Sequence, residues 1–185
     1  MMSRDMSKYA AMRPYFEVVA EGLKGLVDGS DFFDMHAEDV VVEYIITVPD
    51  YPRRVVGRDA LAELYSDYGD SIVQSGSSDV HRHYDPAKSV MVLEYTMHGT
   101  VVHTGAPYAN RFISVIGVKD RKIVHWRDYL DPLAVFAAFS TTPANSPDTI
   151  SGRAPCPHVA ADQGHGCGLC QCGVVGRYGW CGSLE

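Results

Sequence analysis

The sequence predicts an α+β domain with helices packed on one face of a curved antiparallel sheet. Early in the chain, apolar residues recur at spacings of three and four, which is typical of an amphipathic helix. From about residue 78 onward, long alternating segments are joined by connections of hairpin length, which predicts a four-strand meander. Segregated helices and antiparallel strands define the α+β class. Helices on one face of a strongly curved sheet form a cone that holds a cavity.

The first half of the chain supplies most of the helices. Pro14 suits the first turn of a helix, where its missing N–H costs nothing. Ser30 or Asp31 is placed to cap a short second helix. Residues 40–47 are a β-branched run and predict the first strand. After a loop with two prolines, a third helix is expected to start near residue 57.

The second half supplies the sheet and a closing helix. A polar, glycine-containing segment at residues 69–78 is expected to be a loop. The predicted elements after it are strands at residues 78–84, 89–104, 108–118 and 122–130 and a short apolar helix at 132–139. The predicted organisation is a flexible leader (residues 1–12), a single domain (13–139) and a tail (140–185).

Composition and charge narrow the classes of partner. Hydrophobic residues make up 46% of the chain and charged residues 21%, which fits a globular domain with a substantial core. The formal charge is −7 and Lys and Arg do not cluster, which argues against nucleic acid or an anionic membrane as a partner. No apolar run is long enough to span a bilayer, and the N-terminus lacks the apolar core of a signal peptide. A cytoplasmic protein is therefore expected.

The tail differs in composition from the rest of the chain. It has almost no apolar periodicity and holds every cysteine of the sequence: Cys156, Cys167, Cys170, Cys172 and Cys181. A zinc site is one interpretation, because Cys167 and Cys170 have zinc-knuckle spacing. There is no matching second pair, so a disordered extension without a metal is the favoured interpretation, and an altered reading frame is a further alternative.

The last predicted strand carries the acid that organises the functional prediction. Alternation places Val124, Trp126, Asp128 and Leu130 on one face, and Ile123, His125, Arg127 and Tyr129 on the other. A carboxylate that points into apolar surroundings is costly unless it is hydrogen-bonded or used. Burial also raises its pKa, which suits Asp128 to moving protons near neutral pH.

Four other side chains are candidates for the same cavity. His98 lies mid-strand beside a glycine and is either a proton relay or an ordinary strand histidine. Tyr44 and Tyr15 are either hydrogen-bond donors in the cavity or core residues. Trp126 is expected to form part of the cavity wall.

Four blocks of the sequence form a recognisable series, namely AEDVVVEY (37–44), PRRVVGRDAL (52–61), TGAPYANRF (104–112) and KIVHWRDYLDP (122–132). Through these blocks the chain resembles the SnoaL-like group of the nuclear transport factor 2 and ketosteroid isomerase superfamily. The resemblance covers about residues 10–139. It implies a cystatin-like α+β barrel that encloses a small-molecule cavity, usually in a homodimer, with Asn110 and Phe112 as further substrate-binding candidates.

Comparison with individual members separates possible activities. The two acids of ketosteroid isomerases fall at Tyr44 and near Asn110 here, which argues against that mechanism. Limonene-epoxide hydrolases share the Trp-Arg-Asp-Tyr motif and an acid at Asp128, but their Arg and second Asp fall near Tyr95 and Met97. Polyketide cyclases of the SnoaL type and phenazine-biosynthesis A/B proteins also carry an acid that corresponds to Asp128.

The sequence thus supports two classes of function. The first is a cofactor-independent isomerase, aldol-type cyclase or condensing enzyme of secondary metabolism, with Asp128 as acid/base and His98 or Tyr44 steadying an oxyanion on an apolar oxygenated substrate. An epoxide hydrolase is the alternative enzyme. The second class is a non-catalytic small-molecule-binding module of the same fold. No metal or other cofactor is expected.

Overall fold

The computed structural model describes residues 4–140 and confirms the predicted α+β class. Within that range, the three α-helices are α1 (Arg13–Gly22), α2 (Arg58–Ser66) and α3 (Pro132–Phe139). None of these helices has the length and apolarity needed to cross a bilayer. Except for Ser140, the predicted tail and its five cysteines lie outside the described residues.

One sheet of six strands packs against these helices. Its strands are β1 (His36–Tyr44), β2 (Arg54–Val56), β3 (Ile72–Asp85), β4 (Val90–Val101), β5 (Pro107–Lys119) and β6 (Lys122–Leu130), in the order β2-β1-β6-β5-β4-β3. The last four strands form the predicted antiparallel meander. However, β1 runs parallel to β6, so the sheet is mixed rather than wholly antiparallel.

Two segments differ from their predicted conformation. Instead of a second helix after Ser30 there is a single turn, in which the Asp31 carboxylate accepts a hydrogen bond from the Asp34 N–H at 2.9 Å. The end of the predicted leader is also ordered, because Ser7–Met12 forms a 3₁₀ helix. Tyr9 is 2% exposed within that helix and donates a hydrogen bond to the carbonyl of Ala62 at 3.2 Å. Burying this ring holds the segment against α2, which a local polar pattern could not reveal.

A β-bulge decides which β6 side chains face the interior. The register between β5 and β6 shifts by one residue beside Gly117, which leaves Val124 as an extra residue on β6. Strict alternation predicted opposite faces for Ile123 and Asp128, yet both are buried. Trp126 and Asp128 lie beyond the bulge, so the prediction that they share one face is confirmed.

Candidate active site

The helices and the inner face of the sheet enclose a cavity of about 300 Å³. Its wall is mainly aliphatic and aromatic, with phenol hydroxyls and two carboxylates among its polar groups. The described lining residues are Met12, Tyr15, Tyr44, Thr47, Val48, Tyr51, Leu64, Tyr65, Asp67, Tyr68, Ser71, Ile72, Gln74, Met97, Tyr108, Phe112, Asp128, Leu130, Val135 and Phe139. A wall of this kind binds a molecule that is mostly apolar and carries a few polar groups.

Asp128 places a buried carboxylate in this wall. The residue is 5% exposed, and its Oδ1 accepts hydrogen bonds from Ser114 Oγ at 2.6 Å and from Trp126 Nε1 at 3.2 Å. Among the residues that the structure describes, none hydrogen-bonds the other oxygen, Oδ2. The two oxygens therefore have different roles, because Oδ1 accepts hydrogen bonds from the protein and Oδ2 can contact a molecule in the cavity.

The environment of Asp128 changes its acidity. Burial raises the pKa of the carboxyl to about 6, and the hydrogen bonds from Ser114 and Trp126 offset part of the rise. At pH 7 the group is mostly ionised, yet it accepts a proton far more readily than an exposed aspartate. This acidity suits a residue that takes a proton from one atom and returns it to another.

The buried Tyr95 hydroxyl continues the hydrogen-bond chain that begins at Asp128 and Ser114. The Ser114 and Tyr95 hydroxyl oxygens are 2.9 Å apart, and Ser114 lies directly opposite Asp128 in the β5–β6 pairing. Because Ser114 has one hydroxyl proton and donates it to the carboxylate, Tyr95 must donate to Ser114. The chain Tyr95 to Ser114 to Asp128 therefore fixes the carboxylate orientation from behind the cavity wall.

A pair of phenols also lines the cavity. The hydroxyl oxygens of Tyr44 and Tyr65 are 3.1 Å apart, and both side chains are buried. Burial raises the pKa of both phenols, and the nearby Asp128 charge raises it further. Both phenols are therefore neutral at pH 7. Tyr65 also interacts with the Tyr15 hydroxyl, and Tyr44 with the Tyr51 hydroxyl, so the pair belongs to a cluster of cavity phenols.

Four of the residues predicted from the sequence lie in this cavity: Asp128, Tyr44, Tyr15 and Phe112. Phe112 stacks on Tyr95, with ring centroids 5.4 Å apart and planes within 8°. The Tyr15 ring packs 6.2 Å from that of Tyr65. The sheet and α1 thus bring together side chains that lie far apart in the sequence.

The prediction that His98 shares the cavity with Asp128 is wrong. Strand β4 alternates, so the buried Tyr95 and Met97 point inward and His98 points to the opposite face. There its Nε2 lies 2.8 Å from Ser78 Oγ. The alternation of apolar and polar residues along β4 already placed His98 with the outer set.

Trp126 and Asn110 are close to the cavity, but neither is among its lining residues. Trp126 supports Asp128 through its indole N–H rather than offering a surface to a ligand. The Asn110 amide donates to Tyr108 Oη and to the Asp131 carbonyl, each at 3.0 Å, and accepts from the Asp131 N–H. Its polar atoms are thereby used to fix the start of α3. The structure therefore places both residues beside the cavity wall, and their contact with a substrate stays a prediction.

Several site residues were not found from the sequence. Ser114 was missed because regular antiparallel pairing from the β5–β6 turn would place Ile113 opposite Asp128. The bulge shifts the pairing by one residue, so that Ser114 lies opposite Asp128 instead. Tyr65 is on the inner face of α2, where a tyrosine is indistinguishable from core. Gln74 lies in a segment that was predicted to be a loop, and β3 carries it into the cavity wall.

Across residues 4–140, no three His, Cys, Asp or Glu side chains are grouped so as to hold a metal ion.

Comparisons with known proteins agree with this architecture. Residues 12–126 match the family described as SnoaL-like domain. The uncharacterized protein YesE of Bacillus subtilis (strain 168) is 32% identical over 114 residues, which cover 60% of this chain and 76% of YesE. A solved Bacillus subtilis structure, named provisionally as an isomerase, is 26% identical with a TM-score of 0.59, and the match covers 76% of this chain and 99% of that one. A Xanthomonas campestris structure, named provisionally as a polyketide cyclase, is 22% identical with a TM-score of 0.53 over 72% of this chain and 96% of that one.

The family match spans α1, α2 and the sheet as far as Trp126 of β6, and it ends before Asp128 and α3. It confirms the resemblance on which the predicted fold rests. The chain belongs to the SnoaL-like domain family and has the nuclear transport factor 2-like fold.

Proposed function

We propose that this protein is an enzyme in which Asp128 moves a proton on an apolar, oxygenated small molecule without a cofactor. The observation that carries the proposal is a carboxylate buried in an apolar cavity, with a pKa of about 6 and one oxygen left free by the protein. A structural relative is provisionally named an isomerase, and moving a proton from one carbon to another is one way to isomerise a molecule.

The reaction follows from the two oxygens of Asp128. The ionised Oδ2 takes a proton from the carbon next to a substrate carbonyl, and the electron pair of that C–H bond moves onto the carbonyl oxygen as an enolate. Return of the proton to a different carbon gives an isomer. Alternatively, the enolate carbon attacks a second carbonyl and forms a C–C bond, and the resulting alkoxide takes the proton held by Asp128, which gives an aldol-type ring or addition product. The electrons stay within the substrate, so the step itself needs no redox cofactor.

The phenol pair provides the second half of the mechanism. The hydroxyl of Tyr44 or Tyr65 donates a hydrogen bond to the enolate oxygen, where negative charge develops. Both phenols keep their protons, because burial raises their pKa. This replaces the predicted role of His98, which lies on the other face of β4.

Proton transfer at carbon is favoured over epoxide hydrolysis by the inner face of β4. The positions that would hold an Arg and a second acid carry Tyr95 and Met97, both buried and uncharged. Water activation by an acid, an Arg and a second acid therefore has no counterpart at these two positions.

Deuterium exchange tests the proposal without knowledge of the natural substrate. The probe 1-tetralone is a neutral two-ring ketone with exchangeable hydrogens next to its carbonyl. In D₂O the native protein is expected to accelerate exchange at that carbon at least about 100-fold, as measured by mass spectrometry.

Asp128→Asn is the matched control. Its amide oxygen can still accept from Ser114 and Trp126, so the cavity shape is kept while the base is removed. Exchange in Asp128→Asn should fall to the rate in buffer. Equal exchange by both proteins contradicts the role of Asp128, and binding of the ketone without exchange by the native protein favours a non-catalytic binding module.

The substrate's place in secondary metabolism, the homodimer implied by the family resemblance and the expected cytoplasmic location stay predictions.

A further inference from the structure

The described cavity wall carries negative charge without any positive charge to balance it. Its carboxylates belong to Asp67 and Asp128, and the described lining contains no Lys, Arg or His. Within residues 4–140, neither carboxylate has a Lys, Arg or His side chain at ion-pair distance. A wall of this kind attracts a cation and repels an anion.

Asp67 lies at the opening of the cavity. Asp67 and Ser71 are the exposed members of the described lining, so solvent reaches the cavity beside them. The Asp67 Oδ1 accepts a hydrogen bond from Ser66 Oγ at 2.9 Å, and no residue between 4 and 140 donates to its Oδ2. One oxygen of this carboxylate therefore has no partner among the described side chains.

The end of α2 adds to the negative potential at the opening. The helix ends at Ser66. Leu64, Tyr65 and Asp67 all line the cavity, so the C-terminal end of the helix forms part of the wall. The last carbonyl groups of a helix carry partial negative charge, and α2 has no basic residue in its last turn to offset it. The backbone thus favours a cation beside Asp67 as the side chain does.

Two aromatic rings stand at the same opening. Tyr51 and Tyr68 are the partly exposed tyrosines of the described wall, whose other tyrosines are buried. Burial raises the pKa of Tyr51, and electrostatic interaction with Tyr65 and Tyr68 raises it further, which shows that these phenols lie near one another. An aromatic face is negative and attracts ammonium groups. A carboxylate together with aromatic rings is the composition of sites that bind such groups.

The charge of Asp128 extends this preference through the cavity. Burial raises the pKa of Tyr44, Tyr65 and Tyr68, and the Asp128 charge raises each of them further. Because Tyr68 lies at the opening, the field of Asp128 reaches that far. A field that disfavours a phenolate also disfavours a carboxylate ligand at the same position and favours an ammonium group there.

We propose that the cavity selects ligands with a protonated amine, which lies at the opening against Asp67 and the rings of Tyr51 and Tyr68, and excludes carboxylates of the same shape. Combined with the function proposed above, this narrows the substrate to an amino ketone, and that narrowing alone rests on the proposed function. The charge selection itself rests on the cavity wall.

Three two-ring molecules of one skeleton test the selection by calorimetric titration at pH 7. They are 2-aminotetralin, which is cationic, 2-tetralol, which is neutral, and tetralin-2-carboxylate, which is anionic. The native protein is expected to bind the amine about fivefold more tightly than the alcohol, and the carboxylate at least about tenfold more weakly than the alcohol. Equal affinity for amine and alcohol overturns the amine selection. A carboxylate that binds as tightly as the alcohol overturns the exclusion of anions.

Asp67→Asn removes the charge at the opening and keeps an oxygen that can accept from Ser66. The amine preference should fall to within about twofold in this variant, while affinity for 2-tetralol changes by less than about twofold. Asp70→Asn is the matched control, because Asp70 is an exposed acid three residues further on that is not among the lining residues, and its amine preference should equal that of the native protein. A preference that survives in Asp67→Asn, or one that Asp70→Asn abolishes as well, sinks the role of Asp67. The comparison of the three molecules on the native protein stands even if Asp67→Asn fails to fold.

Competition locates the bound amine. In a titration of the protein saturated with 2-tetralol, 2-aminotetralin should displace the alcohol, because both occupy one cavity. Simultaneous binding of the two molecules overturns the placement of the amine in this cavity.

Deuterium exchange separates this inference from the proposed function. The amine and the alcohol contain no ketone, so their binding does not depend on proton transfer by Asp128. An amine preference without exchange of 1-tetralone supports the charge selection and overturns the proton transfer. Exchange without an amine preference supports Asp128 as the base and overturns the role of the opening.

Discussion

Replacing Asp128 with Asn offers a test of the buried carboxyl that needs no substrate. Burial raises the pKa of Asp128 from an ordinary 3.8 to about 6 in the folded protein. The folded state therefore holds the Asp128 proton more tightly than the unfolded state does. Stability from this group is fully present below about pH 4 and is lost as the pH rises through about 6.

The size of the effect follows from the two pKa values. A difference of about two pKa units corresponds to about 3 kcal/mol of folding free energy, and the side chain is buried, so solvent screening does not reduce it greatly. Asn carries no titrating proton at this position. Between pH 4 and pH 8, the free energy of unfolding of the variant is therefore expected to rise by about 3 kcal/mol relative to that of the native protein.

Urea denaturation of both proteins at a series of pH values measures this gain. With an ordinary dependence on urea, the relative unfolding midpoint of the variant should rise by about 1 to 2 M across the range. Other groups titrate equally in both proteins and cancel in the difference. A difference that does not vary with pH, or one that favours the native protein at pH 8, refutes the raised pKa.

Four further substitutions address the rest of the site. Ser114→Ala removes a donor to Asp128 Oδ1, so the midpoint of the pH profile for ketone exchange should move above about 6; an unchanged midpoint contradicts this contact. Tyr44→Phe should slow exchange roughly tenfold, because Tyr65 retains one phenol nearby, and an unaltered rate argues against the phenol pair. His98→Ala should leave exchange within about twofold of native, since His98 faces away from the cavity, whereas a large loss would restore its catalytic role. His36 is buried with a pKa lowered to about 4, so stability that is present above about pH 6.5 is lost as the pH falls toward 4. His36→Gln should reduce that acid loss in urea denaturation, and an identical acid profile would count against the buried neutral imidazole.

Local periodicity accounts for the parts of the site that were predicted correctly. The side chains of Trp126 and Asp128 share a face because they are two residues apart on a regular stretch of β6, and this depends on the chain alone. The same rule, applied to β4, assigns His98 to the outer face with Glu94 and Thr96. His98 was assigned to the cavity because an imidazole can relay protons, although the alternation along β4 placed its side chain on the outer face.

The pairing register between neighbouring strands could not be predicted from the sequence. Because Val124 is an extra residue on β6, Ser114 rather than Ile113 lies opposite Asp128. The Ser114 hydroxyl then donates a hydrogen bond to the carboxylate. In addition, β3 starts inside the predicted loop, and alternation with Ile72 makes Gln74 part of the cavity wall. A glycine stands beside the bulge at Gly117, but a strand glycine alone does not set the register, which depends on how two strands fit against the same core.

The sequence by itself determined the fold class, the meander and the strand that carries Asp128. Tertiary structure decided which side chains surround Asp128: Ser114 and Tyr95 lie behind it, and the Tyr44–Tyr65 pair lines the same cavity. The physical reason is the range of the interactions. Periodicity acts between neighbours along one strand, whereas burial of a carboxylate and a raised pKa depend on side chains from several distant elements.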